Sequence, residues 1–275
     1  MSDDTTTLAG RRSVEDDAEP PQTRRGSRLR ALVRLAHAVV HLLHGIAIVL
    51  LRFDRLDIAQ RHALIRWWAR KTLHVMGIAL RIDGMAAGDG ALAPGTLLIA
   101  NHVSWLDIMA VHAACPQARF VSKADVRHWP LVSRLADAAN TLYLERERKR
   151  DALRVVHQVA GALQAGEIVA VFPEGTTSDG RTLLPFHANL LQAAIATGSP
   201  VQPIALRFSD SSGPVSAAVE FVGATTLLQS IWRVARGDGV CANVTLLAPH
   251  RNPQAERRGL AQALRADIAA QLGAC

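Results

Sequence analysis

From about residue 79 onward, short apolar runs alternate with longer amphipathic segments, and this alternation restricts the fold more than any other feature of the chain. The expected strands cover residues 79–83, 96–100, 119–122, 141–144, 168–172, 201–208, 217–222 and 240–247. The expected helices cover 108–114, 131–138, 150–165, 185–197, 227–234 and 254–272. Strands separated by helices of this length cannot pair as hairpins. They predict an α/β fold with a mixed, largely parallel sheet flanked by helices. In the helix over 150–165, Leu153, Val156, Ala160 and Leu163 recur at helical spacing and are expected to face the core.

The chain before this region divides in two. Residues 1–27 mix Asp, Glu, Thr, Arg and Gly with almost no large apolar side chains, which reads as a disordered tail. Residues 28–78 are different. A charge-free run from Leu35 to Leu51 contains His37, His41 and His44 on one helical face, and a second segment mixes Arg61, Arg66, Arg70 and Lys71 with Trp67 and Trp68. Seventeen uncharged residues are barely enough to span a bilayer, whereas paired tryptophans beside cations suit the headgroup region. The reading is an N-terminal membrane-docking two-helix segment, placing the protein on a membrane surface, with residues 79–275 as the α/β domain.

With 31 Lys and Arg against 24 Asp and Glu, the net charge is +7, which favours anionic partners such as a membrane surface or phosphorylated substrates. Nucleic acid is not expected, because no aromatic stacking platform interleaves with the basic residues. Cys115, Cys241 and Cys275 lie far apart without a CxxC pair, so neither zinc nor a disulfide framework is indicated and a reducing compartment is expected. His112, His128 and His157 read as structural or surface residues, and no metal site is expected.

Three stretches carry chemistry. In the first, Asn101-His102-Val103-Ser104-Trp105-Leu106-Asp107, a strand ends in a polar cluster and an aspartate follows the histidine by five residues. A carboxylate that orients an imidazole makes the minimum machinery for removing a proton from a hydroxyl. In the second, a strand ending at Leu144 is followed by Glu145 and Arg146, where a guanidinium can fork onto a phosphate. In the third, Phe172-Pro173-Glu174-Gly175-Thr176-Thr177-Ser178, proline stops the ladder, glycine allows close backbone approach, and hydroxyls and amides are available for anionic oxygens. The spacing from Gly175 to Gly180-Arg181-Thr182 is not a nucleotide phosphate loop: the lysine is missing and Pro185 falls where the helix should already run.

Together with Val201-Gln202-Pro203-Ile204, these stretches resemble, in order and separation, the glycerolipid acyltransferase family, in particular the bacterial 1-acylglycerol-3-phosphate acyltransferases, over about residues 75–210. The resemblance implies an acyltransferase with a glycerol-3-phosphate acyltransferase-like fold. It implies His102 as general base, Asp107 as its orienting partner, and Ser104, Lys123, Arg146, Glu174, Gly175, Thr176 and Pro203 around the substrates. Acyl-CoA or acyl-carrier protein is then a co-substrate and no cofactor is needed. The implied acceptor is a lysophospholipid, 1-acylglycerol-3-phosphate giving phosphatidic acid, at the cytoplasmic face of the cell membrane.

Two positions depart from the family pattern. Thr177 stands where many members carry arginine, and Pro185-Phe186-His187-Ala188-Asn189 lacks the usual lysine and glycine. These departures resemble a branch acting on other lysolipids, such as lyso-ornithine lipid. A different class, a thioesterase or lipid hydrolase that delivers water to the same His–Asp pair, is the remaining alternative. The chain has no Gly-x-Ser-x-Gly elbow for a serine hydrolase.

Overall fold

A computed structural model describes residues 28–84, 92–123, 130–144, 149–251 and 256–273. Two helices come first, α1 (Arg28–Leu51) and α2 (Ile58–Val75). A capping box starts α2: Asp57 accepts the Gln60 N–H at 2.8 Å, and the Gln60 side chain accepts the Asp57 N–H at 3.1 Å.

The α/β region then runs β1 (Ala79–Gly84), β2 (Leu97–Ala100), α3 (Leu106–Ala114), β3 (Ala118–Lys123), α4 (Pro130–Ala138) and β4 (Leu142–Leu144). It continues with α5 (Lys149–Gln164), β5 (Ile168–Val171), α6 (Leu191–Thr197), β6 (Val201–Ser209), α7 (Leu227–Arg236), β7 (Cys241–Leu246) and α8 (Arg257–Gly273). The seven strands form one sheet in the order β1-β7-β6-β2-β5-β3-β4. All neighbouring pairs are parallel except β6 with β7. The mixed, largely parallel sheet expected from the sequence is therefore present.

Helices cover both faces, which is why the central strands are apolar on both sides. Alternation along β2 sends Leu97 and Ile99 to one core and Leu98 and Ala100 to the other. The Leu98 face packs with α3, α7 and the first two helices through Ala31, Leu73 and Met76. The Ile99 face packs with α5, α6 and α8 through Val155, Leu191, Leu264 and Ile268. Each fully buried Leu or Ile contributes about 1.5–3 kcal/mol relative to exposure.

Three expectations are corrected. Residues 217–222 are not a strand: β6 already has β7 on one side and β2 on the other, so no ladder is open to them. They form a loop instead, in which Ser216 donates its N–H to the Phe208 carbonyl and Phe221 donates to Val103. The helix expected from residue 185 begins only at Leu191; before it the chain is a loop, tied to the loop after β5 by the N–H groups of Leu184 on Glu174 and of His187 on the Pro173 carbonyl. On α5 the buried stripe is Val155, Val159, Ala162 and Leu163, whereas Leu153 is exposed. The apolar face is turned about one residue from the one expected, which leaves Leu153 on the outward side of the helix.

Candidate active site

The carboxyl ends of β2, β5, β3 and β4 lie side by side, and the chemistry-bearing stretches leave the sheet there. This is the edge at which open α/β sheets gather their ligand-binding loops. Asn101 is the first residue beyond β2. Its buried side chain donates to the Leu206 carbonyl at 2.8 Å and accepts the Leu206 N–H at 2.7 Å. The amide thus continues the β2–β6 ladder by one step and fixes where the chain turns out of the sheet.

His102 follows. Its Nδ1 lies 2.7 Å from Asp107 Oδ2, and the same oxygen accepts the N–H of Val103 at 2.7 Å and of Ser104 at 2.9 Å. Asp107 sits in the first turn of α3, where the helix dipole favours a negative charge, and is wholly buried. Three donors converge on Oδ2 and fix the carboxylate, offsetting part of the cost of that burial. The contact makes Nδ1 the protonated nitrogen, so Nε2 is the free base. The imidazole is 20% exposed and stacks on Phe172, with centroids 4.1 Å apart and planes 8° from parallel. Phe172 in turn stacks on Phe120 at 5.5 Å. The result is an oriented, partly accessible base on an aromatic platform.

Glu174 comes just after β5 and is 3% exposed. One carboxylate oxygen accepts the His102 N–H at 2.7 Å and the other the Leu184 N–H at 3.0 Å. Burial raises its pKa above the usual glutamate value, and the two backbone donors only partly oppose that. The His102 carbonyl accepts the Ser178 N–H at 2.8 Å. Both backbone groups of His102 are therefore held by the loop after β5. Gly175 makes that loop's turn at φ 70°, in the left-handed region that favours glycine.

The remaining expected residues are spread more widely. Ser104 is buried, with Oγ 3.4 Å from the Leu106 N–H that it accepts, so it braces the start of α3. Thr176 is exposed. Pro203 is buried in β6 beside Ile99, and its carbonyl accepts the Leu247 N–H at 3.0 Å. It stands one residue before the first β6–β7 pair at Ile204; it has no N–H to return to Leu247, whose carbonyl accepts the Gln202 side-chain amide at 3.0 Å instead. Lys123 ends β3 in register with Leu144, but its side chain and the whole of Arg146 lie outside the described residues. His128 is outside them too, while His112 is buried against Phe120 and His157 is exposed.

Thr177, at the position of the family arginine, donates its hydroxyl to the Phe221 carbonyl. Arg181 binds Glu220 at 2.6 Å and lies 3.7 Å from Asp179. Asn101 and Phe172 carry structural duties here that the sequence reading did not assign, although both sit inside motifs it singled out. Among the described residues, no three His, Cys, Asp or Glu side chains converge as metal ligands do.

The chain is similar to several known proteins. A family model described as Acyltransferase matches residues 89–207, a span that contains His102, Asp107, Glu174 and Pro203. The chain is 34% identical over 242 residues to the lyso-ornithine lipid O-acyltransferase of Pseudomonas aeruginosa, which covers 86% of this chain and 91% of that protein. It is 39% identical over 168 residues to the 1-acyl-sn-glycerol-3-phosphate acyltransferase of Neisseria gonorrhoeae, covering 57% of this chain and 64% of that one. In fold it matches the crystal structure of the 1-acyl-sn-glycerophosphate acyltransferase of Thermotoga maritima, with a TM-score of 0.68, 18% identity and coverage of 89% and 94%. With a relative this similar along nearly its whole length, the chain belongs to the acyltransferase family.

Proposed function

We propose that this acyltransferase moves a fatty acyl chain from acyl-CoA or acyl-carrier protein to the free hydroxyl of a lysolipid. The observation that carries the reading is the His102–Asp107 pair, with Nδ1 held and Nε2 open at the sheet edge. Nε2 takes the hydroxyl proton as the oxygen attacks the thioester carbonyl carbon. The C–S bond then breaks, and the leaving thiolate receives the proton back from the imidazolium. No covalent acyl-enzyme is required, because a thioester is already activated. A positioned base typically contributes about 10²–10⁴-fold.

For the acceptor we favour lyso-ornithine lipid. Support comes from the Pseudomonas relative, matched over 91% of its length, and from Thr177 and Arg181, whose polar groups are already engaged by the protein. Lysophosphatidate is the second reading, favoured by the higher identity of the Neisseria relatives over their shorter matches. Mass spectrometry of products formed from both lysolipids, with each acyl donor, separates the two. Release of free fatty acid in place of a diacyl product would assign the pair to hydrolysis.

The same reading places the enzyme on the cytoplasmic face of the membrane. By length and composition α1 could cross a bilayer. Its outward side is largely apolar, with Leu32, Val39, Val40, Leu43 and Leu50 exposed alongside His37 and His44. Its other face packs on α4 and α7, which supports docking along the surface over a span. Complete release from membranes by high salt alone would overturn that placement.

A further inference from the structure

The acyl-transfer chemistry makes no use of the cleft between α1 and α2, which encloses about 570 Å³. We propose that this cleft binds the phosphate of a bilayer glycerophospholipid, separately from the acyl-transfer site.

Two ladders of side chains build it. His37, His41 and His44 recur at intervals of four and three on α1, and Trp67, Lys71 and His74 recur at the same intervals on α2. That spacing puts each set on one helical face, and the two faces meet across the cleft. His41 is part of the wall: it stacks on Trp68 with centroids 5.2 Å apart, and its Nε2 is 3.2 Å from the Trp68 carbonyl. Gly45 allows this close packing, because a Cβ there would lie 2.5 Å from the Trp68 indole nitrogen. Arg34 also lines the cleft, its guanidinium fixed to the carbonyls of Ala235 at 3.0 Å and Gly237 at 2.6 Å.

The remaining polar groups are open. His37, His44, Lys71 and His74 are all exposed, and no carboxylate is among the lining residues. Among the described residues Lys71 has no ion-pair partner. A cleft with a fixed guanidinium, an ammonium and three open imidazoles, and with no acid, is complementary to an anionic oxygen cluster such as a phosphate.

A lipid is favoured over a free anion because the cleft opens onto apolar surface. Val40 lines it and is 65% exposed, and it belongs to the same outward face of α1 as Leu43 and Leu50. Trp67, 43% exposed, lines the opposite wall. An amphiphile can place its phosphate among the imidazoles and its chains along Val40 and Leu43, with the indole at the headgroup level. The acyl-transfer site lies elsewhere. None of His102, Asp107, Phe172 or Glu174 lines the cleft, and the lining residues of α2 are turned away from Ala69 and Leu73, which face the core.

The test is equilibrium binding of the full chain, held in detergent, to dioctanoyl phosphatidylglycerol. The cleft variant combines His37→Ala, His44→Ala and Lys71→Ala, all at exposed positions, and Lys71→Gln alone serves as a milder second variant. The expected result is a loss of about tenfold or more for the triple variant and a smaller loss for Lys71→Gln, with His102→Ala binding like the wild type. Equal binding of dioctanoylglycerol, which lacks the phosphate, would overturn the proposal. So would displacement of the lipid by inorganic phosphate of similar affinity, which would make the cleft a free-anion site. Absence of binding by the wild type, unchanged binding by both cleft variants, or loss of binding on His102→Ala would also sink it.

Discussion

Asp107 and His102 are joined through a single carboxylate oxygen that also accepts the N–H groups of Val103 and Ser104. The residue that orients the base is therefore the one that shapes the turn carrying it. Asp107→Asn offers an amide where His102 needs an acceptor, so the ring adopts the wrong tautomer. On the proposed mechanism kcat falls about 10²–10⁴-fold, while the protein still unfolds cooperatively. Steady-state kinetics beside a thermal melt checks both parts.

Phe172 acts as a platform. Replacing it with Leu keeps the bulk and removes the ring under His102, forfeiting a stacking contribution of about 0.5–1.5 kcal/mol. The loss should fall mainly on kcat, since the ring supports the base itself. A change confined to KM would contradict the positioning role.

Glu174→Gln turns an acceptor of two backbone N–H groups into a side chain that can face only one of them properly. Leaving the other buried N–H unpaired costs about 1–3 kcal/mol, measurable as a lower urea midpoint.

The same residue gives the protein a pH slope. The folded pKa of Glu174 is raised by burial, so between its unfolded value and that higher folded value the native state holds more protons than the unfolded chain. Stability contributed by this group therefore declines as pH rises through that acidic window. Urea titrations at a series of pH values should show the decline in the wild type and its removal in Glu174→Gln.

Asn101→Ala removes both bonds to Leu206 and leaves a buried N–H and a buried carbonyl without partners. A stability loss of about 2–4 kcal/mol is expected from two such groups. Chemical denaturation measures it. A loss under about 0.5 kcal/mol, the size typical of surface changes, would mean that the amide does not hold the end of β2.

Much of the fold was legible because the central strands are buried on both sides. The runs at β2 and β5 are continuous and apolar, and the helices between strands forbid hairpins. Residues 217–222 look equally strand-like, yet whether an edge of β6 is open depends on strand order, which no local window contains. The segment after Pro185 has helical spacing, but it is tied to the preceding loop by the His187 N–H on the Pro173 carbonyl and, just before it, the Leu184 N–H on Glu174. Leu153 shows the same limit on a smaller scale, since two neighbouring stripes have helical spacing and only the packing decides that Val155 and Val159 face inward.

At the site, His102 and Asp107 could be paired from spacing because the turn between them is local. Glu174 was visible as a motif residue, but the direction of its carboxylate, into the backbone of a residue 72 positions away, was not. The Asn101–Leu206 bond, across 105 positions, needed the completed sheet to be seen.

The central claim is that His102 Nε2 removes the acceptor's proton. His102→Ala should be assayed with acyl-CoA and the preferred lysolipid, following the diacyl product by mass spectrometry and the fold by thermal melting. The account predicts loss of product formation by about 10³-fold or more with a melt close to that of the wild type. Turnover within a few-fold of the wild type from a folded His102→Ala protein would contradict it.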